Sequence, residues 1–111
     1  MAKRTIHKRG SRDRNEKFIT EYLRRANVKY ELLPEGFGAD ILLFMSPMML
    51  VEVKNPEVPE YDRGLTPKEK EVMEFCKEMR IPYHVVETPE EMADIVNEWI
   101  ERLDWKSSLP S

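Results

Sequence analysis

Cysteine is almost missing from this sequence. Cys76 is the only one in 111 residues, so no intramolecular disulfide can form and no thiolate zinc cluster can be built. Histidine is nearly as scarce, with only His7 and His84, which excludes a histidine-rich metal site. Any bound metal would therefore rely on carboxylate and carbonyl oxygens, the donors that suit a hard ion such as Mg2+ or Mn2+. No apolar run approaches the roughly 20 residues of a membrane-spanning helix. The basic N-terminus is not followed by the apolar stretch of a signal peptide. Internal repeats and low-complexity segments are absent as well. A soluble, cytoplasmic protein that avoids membranes is the expectation, and its length suits one compact domain.

Charge, by contrast, is plentiful and unevenly spread. Charged residues make up 35% of the chain and hydrophobic residues 41%, which leaves material for a modest core. The net charge of −3 conceals a division: residues 1–30 carry ten Lys or Arg against three acids, and the remainder carries eight against eighteen. Residues 1–12 are polar and without periodicity and read as a flexible basic arm. Lys3, Arg4, Lys8, Arg9 and Arg12, with Arg14 just beyond, are the candidate phosphate contacts. A solvated basic tail is the plainer alternative. The arm has no aromatic interleaving, so base stacking on it is not expected. Residues 13–105 read as the single domain and 106–111 as a flexible tail.

The domain opens with Phe18, Ile19, Tyr22, Leu23 and Ala26 at helical spacing. Asp13 or Asn15 can cap that helix, and Asn27 can stop it. Val28–Leu33, Ala39–Met45 and Met48–Lys54 are strand candidates, and the last two are close enough to form an antiparallel hairpin. Thr66-Pro67-Lys68-Glu69 has the form of a capping box with proline at the first helical position. Val72, Phe75, Cys76 and Met79 supply the apolar stripe of the helix that follows. Tyr83–Glu87 is a fourth strand. Thr88-Pro89-Glu90-Glu91 is a second capping box, before a helix with Met92, Ile95, Val96, Trp99, Ile100 and Leu103 on one face. A strand–helix–strand crossover places parallel neighbours at that end of the sheet.

Polar residues inside apolar strands are the informative feature. Asp40 is the only charge in ADILLF, and Glu52 and Lys54 end the apolar run MMLVEVKNP. Residues i and i+2 of a strand share a face, so Glu52 and Lys54 point one way and Val51 and Val53 the other. Strand ends meeting across a hairpin would bring Asp40 and Glu52 together, an arrangement suited to one metal ion that keeps several waters. The plainer alternative is an ordinary Glu52–Lys54 pair with Asp40 as a turn residue. His84 and Cys76 read as packing residues, and Trp99 as core or an oligomer seam.

GADILLF, MMLVEVKNP, LTPKEKEVMEF and IPYHVVETPEEM together resemble the PD-(D/E)XK nuclease superfamily. The likeness is closest to its small VRR-NUC branch, with the archaeal Holliday junction resolvases as relatives. It spans about Asn15 to Trp99. It implies an α/β, restriction-endonuclease-like αβββαβα core with a four-stranded mixed sheet flanked by helices. It also implies Asp40 and Glu52 as metal-ligating acids and Val53 as a carbonyl ligand. Lys54 would be the lysine that orients the attacking water, and Glu16 an additional acid on the first helix. Glu16 can equally be an acid favoured by the helix dipole. The implied activity is Mg2+- or Mn2+-dependent DNA endonuclease cleavage of branched, flap or junction DNA, with a homodimer as the assembly. A catalytically silent nucleic-acid-binding or assembly module with the same fold is the alternative. Ala39 stands where the family usually has proline before the aspartate. Glu69 stands where the VRR-NUC pattern usually has glutamine, and its capping role is the favoured reading.

Overall fold

A computed structural model of the chain describes residues 15–55 and 64–107, the last five by backbone alone. The proposed phosphate contacts Lys3, Arg4, Lys8, Arg9, Arg12 and Arg14 lie outside the described residues. Residues 15–25 form helix α1. Then come β1 (Tyr30–Leu32), β2 (Ile41–Leu43), β3 (Met49–Val53), α2 (Pro67–Met79), β4 (Tyr83–Val86) and α3 (Pro89–Ser107). The protein is α/β, with a four-stranded mixed sheet in the order β1-β2-β3-β4. The first two pairings are antiparallel and β3–β4 is parallel.

Local chemistry accounts for the ends of the helices. Thr66 accepts from the Glu69 N–H while the Glu69 carboxylate accepts from the Thr66 N–H, closing the expected box. At the start of α3 the Thr88 hydroxyl accepts from the Glu91 N–H, but Glu91 reaches back to the N–H of Glu87 rather than that of Thr88. Asn15 is not the cap of α1: it already lies within the helix, and its side-chain amide donates to the Lys54 carbonyl. Asn27 does stop α1. It has φ 60, with Asn27 N–H on Arg24 O and Val28 N–H on Leu23 O, a Schellman closure without glycine. Arg80 ends α2 in the same way, with φ 60 and Ile81 N–H on Cys76 O. Helix α3 continues through Ser107, two residues into the stretch expected to be tail.

β3 lies between β2 and β4, and all five of its residues are buried. Val51 and Val53 join Ile41, Leu43, Met49 and Val86 in packing against Ile19 and Leu23 of α1 and Met92 and Val96 of α3. The opposite face of the sheet is thinner. There Leu50, with Leu42 and Tyr83 beside it, meets Val72 and Cys76 of α2. Trp99 packs at the edge of the larger core and its indole N–H donates to Ser46 O at 3.0 Å. It thereby ties α3 to the turn of the β2–β3 hairpin.

Three apolar stripes are narrower than their spacing implies. Phe18 is 53% exposed, Phe75 55%, Met79 71% and Ile100 41%. In α2 only Glu69, Val72 and Cys76 are buried, a strip too narrow to include Phe75 and Met79 on the flank. Among the described residues no helix is long and apolar enough to cross a membrane.

Candidate active site

The sheet register brings Asp40 and Glu52 together. Ile41 pairs with Val51 and Leu42 with Leu50, so one step further along the hairpin Asp40 stands opposite Glu52. Opposed residues of an antiparallel pair share a face. Asp40 is held there at both backbone groups: its N–H donates to Val51 O at 2.9 Å, and its carbonyl accepts from Leu33 N–H at 2.8 Å. Its side chain is held as well, because Oδ2 accepts from the Val53 N–H at 2.8 Å. A carboxylate accepting a main-chain N–H makes a charge-assisted bond, stronger than a neutral one.

Glu52 is only 2% exposed, although it carries an acid into the middle of the sheet. An ionised carboxylate in such a place costs several kcal/mol unless opposite charge and hydrogen bonds offset the loss of water. The Lys54 ammonium supplies that charge, 3.3 Å from Glu52 Oε2. Glu52 and Lys54 thus share a face as their spacing predicts, while Val51 and Val53 lie in the core opposite.

Helix α2 delivers a fourth polar group. Glu69 Oε1 is 2.8 Å from Lys54 Nζ and 2.9 Å from the Thr66 N–H. Helix cap and site partner are therefore one and the same oxygen, where the sequence favoured capping alone. Burial works to raise the Glu69 carboxyl. Hydrogen bonds from Lys54, from the Thr66 N–H and with Glu52, together with the Lys54 charge, outweigh it and hold the group below the usual carboxylate range. Tyr83 approaches from β4, its phenol donating to Gly38 O at 2.7 Å. Burial, and then the negative charges of Glu52 and Glu69, push that phenol well above its ordinary value.

Asp40, Glu52, Thr66, Lys68 and Glu69 line a depression of about 190 Å³, rimmed by the Gly36–Gly38 turn. Among the described residues no group of three or more His, Cys, Asp or Glu side chains is arranged to hold a metal ion. A site for Mg2+ here would consist of the Asp40–Glu52 pair, a main-chain carbonyl and water. That donor set fits Mg2+, which usually takes one or two carboxylates and retains several waters.

Glu16 lies on α1, partly buried, next to Asn15, whose amide reaches the Lys54 carbonyl at 2.8 Å. Sequence reasoning missed Asn15 and Tyr83 as neighbours of the site, since neither contact leaves a local pattern. The Glu69 contact had a signal, the capping box that fixes its helical position. Comparison with known proteins adds no relative: no family model, curated protein or solved structure matches this chain.

Proposed function

We propose that this chain is a metal-dependent nuclease of the restriction-endonuclease-like class. More narrowly, it is read as a DNA endonuclease of the VRR-NUC kind, selective for branched, flap or junction DNA and acting as a homodimer. The observation that carries the reading is the facing pair Asp40 and Glu52, with the Lys54 ammonium 3.3 Å from Glu52 at the same end of the sheet. The element order from α1 to α3 is compatible with the class.

In this proposal Asp40, Glu52 and the Val53 carbonyl hold Mg2+ or Mn2+, with Glu16 as an accessory acid on α1. The ion would supply Lewis-acid polarisation of a phosphoryl oxygen and make water more acidic. The chain's own part is positional and electrostatic. Val53 N–H keeps Asp40 turned toward Glu52. Lys54 orients the attacking water and offsets the charge that develops on the phosphoryl group as the phosphodiester P–O bond breaks. Lys54 leaves its contact with Glu69 or shares it, and the arm residues Lys3, Arg4, Lys8, Arg9, Arg12 and Arg14 grip the flanking backbone.

One observation favours a second reading. Lys54 is ion-paired to both Glu52 and Glu69, a self-satisfied arrangement that suits a silent nucleic-acid-binding module that keeps the fold. A cleavage panel separates the two. Single-stranded, duplex, flap and four-way DNA are incubated with Mg2+ or Mn2+ and wild-type, Asp40→Ala or Lys54→Ala protein. Cutting by the wild type alone supports the nuclease. Equal cutting by all three removes the enzyme assignment, and DNA retention without cutting supports the silent module.

A further inference from the structure

Lys54 lies one residue beyond the end of β3, where a strand would ordinarily begin to fray. Its backbone is nevertheless held from two directions. The N–H donates to Val86 O of β4 at 2.8 Å. The carbonyl accepts from Asn15 Nδ2 of α1 at 2.8 Å, across 39 residues of sequence. The first bond extends the parallel ladder, while the second has no counterpart in the sheet. It fixes the peptide plane on the far side of Lys54 and with it the direction in which the side chain leaves the backbone.

That direction matters because a lysine side chain is long and has many rotamers. The Lys54 ammonium is nevertheless within reach of both Glu52, at 3.3 Å, and Glu69, at 2.8 Å. Ordering such a side chain is opposed by the loss of rotamer entropy. A backbone already locked on both sides leaves only the side-chain torsions to be settled by the two carboxylates.

We propose that Asn15 is a positioning residue: its amide clamps the Lys54 carbonyl and so aims the Lys54 ammonium at the Glu52–Glu69 side of the depression. The inference deepens the nuclease reading and takes its catalytic consequence from it. Asn15 acts through Lys54 and touches neither DNA nor metal in this scheme. The competing account makes Asn15 a simple tether for α1, contributing stability and nothing else.

The test uses the full chain labelled with 13C and 15N in lysine and asparagine, read by NMR alongside cleavage kinetics. Asn15→Asp removes the donor at nearly constant shape, and Asn15→Ala removes the side chain. In the wild type the two Hε protons of Lys54 are expected at separate shifts, and the Asn15 amide protons are expected to exchange slowly. In both variants the Lys54 Hε pair should collapse toward one averaged signal. On the best-cut DNA, kcat should fall by at least about tenfold while KM stays within about twofold. Wild-type-like Lys54 signals and kcat, with only a lower Tm, would overturn the clamp. So would fast exchange of the Asn15 amide in the wild type, a measurement that needs no variant to fold. A wild type that cuts no DNA would count against the nuclease reading alone, since the lysine spectra decide the clamp without activity.

Discussion

The Lys54 ammonium and the Glu69 carboxylate meet at 2.8 Å, and the oxygen that makes this contact is also the one that caps helix α2. The two duties can be separated by substitution. Glu69→Gln keeps an acceptor for the Thr66 N–H but removes the charge facing Lys54, and is expected to change stability by no more than about 1 kcal/mol. Glu69→Ala loses the box as well and should lose about 1–2 kcal/mol. Lys54→Met leaves Glu52 and Glu69 buried without their cation and should lose about 3 kcal/mol. The double variant Lys54→Met with Glu69→Gln should lose at least about 1 kcal/mol less than the singles together, because only Glu52, and no longer Glu69, then lacks the Lys54 charge. Urea denaturation of the four proteins reads the coupling. Additivity within about 0.5 kcal/mol would show that the pair is not coupled.

Two glycines rim the same depression and should respond differently to alanine. Gly38 has φ +102, and a Cβ there would lie 2.5 Å from Val72 Cγ2 and 3.1 Å from the Lys68 carbonyl. Backbone strain and overlap add at this position, so Gly38→Ala should lose about 2 kcal/mol or more. Gly36 has φ +87 but open space around the missing Cβ. Gly36→Ala should lose about 1 kcal/mol, from the backbone alone. Thermal unfolding of the two variants side by side is the measurement, and equal losses would mean that the approach of α2 to Gly38 is not tight.

Much of this architecture is legible in the sequence, because it follows from short-range rules. Thr66 and Glu69 are three residues apart, and Asn27 follows its own helix, so both helix ends were legible. The facing of Asp40 and Glu52 was legible too, since a short hairpin and a period of two leave few registers. Phe75 and Met79 misled, because spacing shows which residues share a helix face but not how wide a strip the sheet will cover. The amide of Asn15 on Lys54 and the phenol of Tyr83 on Gly38 join segments 39 and 45 residues apart. Such contacts depend on how α1 and β4 settle on the sheet, and no local pattern encodes them.

Tyr83 links that long-range packing to the site. Its phenol holds the Gly38 carbonyl, two residues before Asp40, so the turn and the acid are moored to β4. Tyr83→Phe should lose about 1 kcal/mol and leave the core unchanged. In ultraviolet phenolate titrations, the tyrosine lost in Tyr83→Phe should be among the last to ionise in the wild type, because burial and the neighbouring carboxylates raise it. An early-ionising phenol in that difference would contradict a buried hydroxyl donating to Gly38.

His84 gives the fold a pH dependence of definite sign. It lies on β4, paired with Val51 of β3, and is partly buried on the face that α3 covers. Burial lowers its imidazole below the ordinary value, and the Glu98 charge on α3 offsets this only in part. The unfolded chain, with a histidine near about 6.5, therefore binds a proton more readily than the folded one. The stability associated with the neutral ring is complete above that value and is lost as pH falls from there through the lower folded value. A His84→Gln variant carries no such proton linkage. The stability difference between wild type and variant, measured by urea denaturation in matched buffers, should be flat above the unfolded value and shift against the wild type on acidification. A shift in the opposite direction would mean that attraction to Glu98 outweighs burial, and that His84 is held in its charged form against α3.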